Sequence, residues 1–344
     1  MNLARFQTIV RKYPQLRIAV VGDFSLDRYL EIDPTRKEIS LETNLPVYNV
    51  VNVRSQPGAA GTILNNLVAL GIGTIYPVGF SGHDGEGFEL RGALGDKAGV
   101  QLDYFLQTAN RRTFTYCKPL VMEPGKPPVE LNRLDSKNWT PTPAVVQAQI
   151  IEAVQKLAAQ VDAMILMDQV DVPETGVVTT RVLEAITKAL PTRRELLIVA
   201  DSRRGLRGYP PVTFKMNAVE LAALTGAPAQ SALEVITQTA SALSRRQGRN
   251  VFVTLAERGL LGASPDGGVE HVPALPVRGE IDIVGAGDSV TANLTAVLAA
   301  GANVRESLEI ANAAASVVIH QLGTTGTASP GEIEKLLLTE KTPD

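Results

Sequence analysis

Residues 17–23 read RIAVVGD, a short apolar run that stops at a glycine and an aspartate. Arg17–Val21 therefore reads as a buried strand that ends at a loop able to carry chemistry. Similar runs follow at Thr74–Val78, Ala163–Met167 (AMILM), Leu196–Ala200 (LLIVA) and Val251–Leu255 (VFVTL). Helical stretches lie between them: Thr62–Leu70, closed by Gly71 at its C-cap position, then Phe88–Lys97, Ala144–Ala159, Gly176–Leu190, Val219–Thr225 and Ala232–Arg246. Strands that alternate with helices predict an α/β fold with a mainly parallel sheet covered on both faces.

Four segments break this rhythm. Asp27–Asp33, Leu45–Val53, Arg112–Val121 and Val129–Leu134 are rich in Thr, Tyr and Val, with no helix between neighbours. They predict a small antiparallel sheet outside the main one, a lid spanning roughly 27–54 and 111–135. The alternative is a set of extra edge strands on the main sheet.

The 344 residues carry 33 basic and 36 acidic side chains, a formal net charge of −3. That length suits about two domains, or one large α/β domain with a small appendage. A slightly acidic chain with no basic block and 5% aromatic residues argues against nucleic-acid partners. Cys117 is the only cysteine, which excludes a disulfide framework and a thiolate zinc site. His83, His271 and His320 have no ligand-type spacing. No apolar run reaches the ~18 residues of a membrane span, and the start lacks a secretory leader's apolar core. No membrane partner and a cytoplasmic location are expected.

The chemistry is concentrated in residues 281–301, IDIVGAGDSVTANLTAVLAAG. The turn Gly285-Ala286-Gly287 runs into Asp288 and a helix of small residues. Glycines let backbone approach an anion closely, and the first N–H groups of the helix then face it. A carboxylate there repels phosphate, but it is useful if it takes a proton from a hydroxyl while the N–H groups hold a transferring phosphoryl group. The competing reading is a helix N-cap aspartate. Neither G-x-x-x-x-G-K-[ST] nor G-x-G-x-x-G occurs, which argues against P-loop and Rossmann dinucleotide sites.

Further stretches complete a family pattern: VVGDFSLDRY at 20–29, QPGAAGTILNNLVALG at 56–71, VGFSGHDGEG at 78–87, NRLD at 132–135, ADSRRG at 200–205, NAVE at 217–220, VTLAERG at 253–259 and ANAAASVV at 311–318. In order and spacing the chain resembles the ribokinase-like (PfkB) carbohydrate kinases, above all the sugar-kinase half of bacterial heptose-phosphate kinase/adenylyltransferases, from about Arg17 to Leu337. The chain is expected to lack the adenylyltransferase half. The resemblance implies a three-layer α/β/α kinase domain over 1–344 with a small β-sheet lid, ATP and Mg2+ as cosubstrate and cofactor with K+ as a further ion, and a sugar or sugar-phosphate acceptor. It also implies a homodimer paired through the lid. Kinases of a nucleoside or other small alcohol, and an inactive nucleotide- or sugar-binding regulator, are the alternatives.

The resemblance also implies roles. Asp288 would be the catalytic base, with Gly285, Ala286 and Gly287 as the anion hole. Asn217 and Glu220 match an N-x-x-E that serves the magnesium–phosphate network through water, while their spacing alone fits a helix capping box. Arg203 would lie near the phosphates, with Thr254 and Gly259 beside the nucleotide and Asn312 flanking the adenine. Asp282 and the stretch from Gly323 to Ser329 correspond to a monovalent-cation site. Asp27 would accept hydrogen bonds from sugar hydroxyls, with Asp23 and Asp135 as further candidates and Gly58 beside them. The chain departs from the family where Ala59 fills a glycine position and Thr62 replaces an asparagine, which implies an acceptor pocket altered from that of heptose phosphate.

Overall fold

The computed structural model describes residues 1–339 except 191, 192, 194 and 229–231. The last five residues of the expected 1–344 domain thus lie outside the described residues. Nine strands form the main sheet: β1 (Arg17–Gly22), β4 (Thr74–Gly82), β5 (Phe105–Thr108), β9 (Ala163–Asp168), β10 (Leu197–Ser202), β11 (Thr213–Asn217), β12 (Val251–Thr254), β13 (Leu260–Ala263) and β14 (Val269–Val272). Their order is β14-β13-β12-β11-β10-β9-β1-β4-β5. Every neighbouring pair is parallel except β12–β13 and β13–β14 at one edge.

Strand β1 shows why the apolar runs are continuous. Ala19 and Val21 pack with α4 (Ala144–Ala158), α5 (Thr180–Ala189), α6 (Ala218–Thr225) and α7 (Leu233–Gln247). Ile18 and Val20 face the other way, toward α1 (Leu3–Val10), α2 (Ala60–Leu70), α3 (Gly85–Gly95), α8 (Ala286–Ala299), α9 (Val304–Val318) and α10 (Pro330–Thr339). A strand buried on both faces has no polar side to alternate with. The result is the expected three-layer α/β/α body. From β1 the chain first fills the sheet toward β5 and later, from β9, in the opposite direction. The topological switch therefore lies between β1 and β9, where open α/β sheets bind ligands beyond their carboxyl ends.

A second sheet grows from that point. Strand β2 (Phe24–Ile39) starts two residues after β1 and pairs with β3 (Pro46–Ala59) and β6 (Phe114–Val121), and β6 pairs with β7 (Val129–Glu130) and β8 (Leu134–Ser136). These segments are not edge strands of the main sheet. The sheet is mixed rather than antiparallel, however, because β2 and β6 run parallel. Between them the chain passes through α2, β4, α3 and β5, and so re-enters in the same direction. The helix expected from Gly176 starts instead at Thr180, after Thr179 caps it by accepting from the Val182 N–H.

Ala59 ends β3 and precedes α2 with φ 54° and ψ −118°, a conformation that favours glycine. The Ala60 N–H donates to the Asp23 carbonyl at 3.0 Å, so the chain is held there. A residue carrying a Cβ in such a region costs about 1–3 kcal/mol. Ala59→Gly should therefore raise the melting temperature by roughly 2 °C in thermal unfolding. An unchanged or lower value would contradict this account of the bend.

Candidate active site

A cavity of about 250 Å³ lies between the carboxyl ends of the main sheet and the second sheet. Asp27 reaches it from β2, Ala59 and Thr62 from the β3–α2 junction, and Gly285 and Asp288 from the start of α8. Gly285 is the N-cap of α8, in the left-handed region with φ 82°. Asp288 is therefore the third helical residue, not the N-cap, and no side chain caps this helix. Among the described contacts its carboxylate has no hydrogen-bond partner. Burial pushes its pKa up to about 7; the charges of Asp201 and Asp27 push the same way and Lys215 opposes them. An acid poised there exchanges its proton near neutral pH.

Asp27 is buried, with Lys118 Nζ and Ser25 Oγ each 3.4 Å from its carboxylate. Burial raises its pKa, and Lys118 works against that. A Cβ on Gly58 would stand 2.3 Å from Asp27 Oδ1, so glycine at 58 is what makes room for the carboxylate.

Four cations also line the cavity: Lys118, beside Asp27, and Arg133, Lys137 and Arg203. Asp171 holds two of them, Lys137 at 2.9 Å and Arg203 at 3.1 Å. Arg133 pairs with Asp135 and lies over the Tyr116 ring, 5.0 Å from its centroid. Arg204, next to Arg203, turns instead to the buried Asp168 at 2.7 Å.

The other expected residues fall into three groups. Asp23 faces away from the cavity: its carboxylate accepts from the N–H groups of Gln169 (2.8 Å) and Val177 (2.7 Å). Asp135 does not line the cavity either, because its oxygens are taken by Arg133. Asn217 and Glu220 form the capping box of α6, each side chain accepting from the other's backbone N–H. Asn217 aligns with Thr254 across β11 and β12. Gly259 turns into β13 with φ 91°, where a Cβ would lie 2.0 Å from the Val272 carbonyl oxygen. The Asn312 amide donates to the Pro273 carbonyl at 2.8 Å. Asp282 accepts from the N–H groups of Val284 and Gly323, so those segments do meet, whereas Ser329 Oγ donates to Glu332 at 2.6 Å.

Sequence reasoning missed Tyr116, Lys118, Arg133, Lys137 and Gln169. Two of these were within reach: Tyr116 and Lys118 are two apart in a strand and so share a face. Tyr116 also stands beside Asp27 in the β2–β6 register. Arg133 lies inside the NRLD stretch that also holds Asp135.

The family model for pfkB family carbohydrate kinases matches residues 16–330. The chain belongs to this family. It is 34% identical over 308 residues to "Bifunctional protein HldE" of Azorhizobium caulinodans, covering 89% of this chain and 61% of that protein. The Rhodospirillum rubrum protein of the same name is 31% identical over 317 residues, covering 92% and 61%. The pfkB-family chain thus spans about three fifths of the length of these relatives. Among solved structures, Arabidopsis thaliana ribokinase complexed with ribose and ATP superposes with a TM-score of 0.68 at 21% identity, over 95% of this chain and 99% of that one. Escherichia coli phosphofructokinase-2 in complex with fructose-6-phosphate gives 0.69 at 18% identity, over 94% and 99%. The fold is that of the ribokinase-like kinases.

Proposed function

We propose that this kinase transfers the γ-phosphoryl group of ATP to a hydroxyl of a phosphorylated sugar, with Asp288 as general base. The observation that carries the reading is an unpartnered carboxylate at a helix start, facing a cavity that four cations line. A neutral sugar offers those cations only hydroxyl oxygens, whereas a phosphate on the acceptor matches their charge.

In the proposed step Asp288 takes the acceptor proton as the hydroxyl oxygen attacks the γ-phosphorus. The bond from that phosphorus to the bridging oxygen breaks, and ADP leaves with the electron pair. Backbone N–H groups at Gly285 and Gly287, with the positive end of α8, stabilise the charge on the transferring oxygens, while the Ala286 N–H donates to the Ile283 carbonyl at 3.2 Å. Asp27 accepts from sugar hydroxyls, and the five strands of the second sheet close over the site as a lid that excludes water. Thr254, Gly259 and Asn312 lie on the nucleotide side.

Among the described residues no three acidic, histidine or cysteine side chains are grouped so that they could hold a metal ion. That fits magnesium held through its waters and phosphate oxygens, with Asn217 and Glu220 as outer partners, rather than a carboxylate cage. When bound, magnesium neutralises phosphate charge. Asp282 and Ser329 stand as proposed neighbours of potassium. Unchanged activity in buffer free of potassium and sodium would withdraw them. Exposed Val51, Val53 and Leu134 on the lid support pairing of two lids in a homodimer. A monomer in sedimentation at micromolar concentration would remove that pairing.

Asp288→Asn should reduce kcat by about 10²–10⁴-fold with ATP affinity nearly unchanged, measured by ADP release and calorimetry. Near-normal turnover by the folded variant would place the base elsewhere. Lys137→Ala and Arg203→Ala should each raise KM for a phosphorylated sugar about 10-fold or more while barely moving KM for an unphosphorylated one. Equal effects on both acceptors would remove the phosphate from the proposal.

A further inference from the structure

Behind the first turn of α8 lies a charged pair that no step above uses. Lys215, on β11, is 6% exposed, and its Nζ donates to Asp201 Oδ2 at 2.7 Å. Thr291, one turn along α8 from Asp288, donates to the same oxygen at 2.8 Å. A Cβ placed on Gly287 would stand 3.2 Å from Lys215 Nζ, so the missing side chain lets the helix start settle onto the ammonium. The three elements β10, β11 and α8 are thus joined by one carboxylate oxygen, directly beneath the base.

We propose that Lys215 and Asp201 are positioning residues for phosphoryl transfer, fixing the first turn of α8 and setting the charge on Asp288 with opposite signs. This rests on the reading of Asp288 as base. A buried ion pair adds little net stability over apolar residues of the same volume, so packing alone does not account for it. The buried charged groups nearest Asp288 come from three elements: Asp201 on β10, Lys215 on β11 and Asp27 on β2. Lys118, Arg133, Lys137 and Arg203 face it across the cavity. Asp201 and Asp27 favour the protonated acid, and Lys215 is the buried cation that favours the ionised base. Burial disfavours the Lys215 charge, but Asp201 outweighs it and keeps the ammonium protonated. Removing the ammonium leaves Asp288 near the Asp201 and Asp27 carboxylates with no buried cation to offset them. Removing the Asp201 charge leaves Lys215 free to act on Asp288.

The test is the pH dependence of kcat/KM with MgATP and whichever of ribose, fructose 6-phosphate or a heptose phosphate turns over best. The base acts ionised, so activity rises with pH through the Asp288 pKa. Lys215→Met should move that rising limb up by about one pH unit and lower turnover at pH 7 about fivefold, with KM for ATP changed less than about twofold. Asp201→Asn should move the limb down. The double variant, which also answers if Lys215→Met does not fold, should bring it back to within about 0.3 unit of the wild type. Limbs that stay in place while turnover drops in parallel at every pH would overturn the proposal and leave a purely structural pair. Asp288→Asn, measured alongside, separates the two readings. An active Asp288→Asn removes the base itself, whereas an inactive one with unmoved limbs removes only the role given to Lys215 and Asp201.

Discussion

Two opposed electrostatic demands meet at Asp288. The exposed N–H groups and positive end of α8 favour a negative charge there, the arrangement that draws a phosphate to a helix start. Burial and the carboxylates of Asp201 and Asp27 disfavour it, which leaves the acid poised near neutrality. Neither demand is met by α8 alone. The main sheet brings Asp201 and Lys215 to the helix start from adjacent strands, and the second sheet brings Asp27 across the cavity. At the start of α8, Gly285 and Gly287 are places where a side chain would disturb the fit, one through its left-handed backbone and the other through Lys215.

The far wall of the cavity is built by a different device. Asp23, buried at the end of β1, clamps the loop after β9 through the N–H groups of Gln169 and Val177. Burial and the nearby Asp168 carboxylate push its pKa up. That loop carries Asp171, which pairs with both Lys137 and Arg203. Four like charges would otherwise repel one another; Asp171 and Asp135 hold Lys137, Arg203 and Arg133, and Asp27 holds Lys118. Asp23 thus serves the site at one remove, through the loop it fixes rather than through any ligand.

Much of this was legible in the amino-acid sequence, for reasons that differ by element. Strands buried on both faces leave continuous apolar runs, and β1, β9, β10 and β12 were placed on that signal. Strand β11, TFKMN, hides it because Lys215 interrupts the run, and the charge is buried only because Asp201 on a neighbouring strand answers it. The second sheet was legible as segments without helices, but its mixed pairing depends on the route of the chain through the body, which no local pattern records. Asp288 and the glycine turn announce themselves by composition. The four cations come from three separate stretches, and only the fold brings them to one cavity.

The most direct measurement is a crystal structure of this chain with a non-hydrolysable ATP analogue and a phosphorylated sugar. The account predicts the attacking hydroxyl about 2.6–3.2 Å from an Asp288 oxygen, with the acceptor phosphate against Lys137 and Arg203. A hydroxyl held by some other group, with Asp288 turned from it, would contradict the central claim.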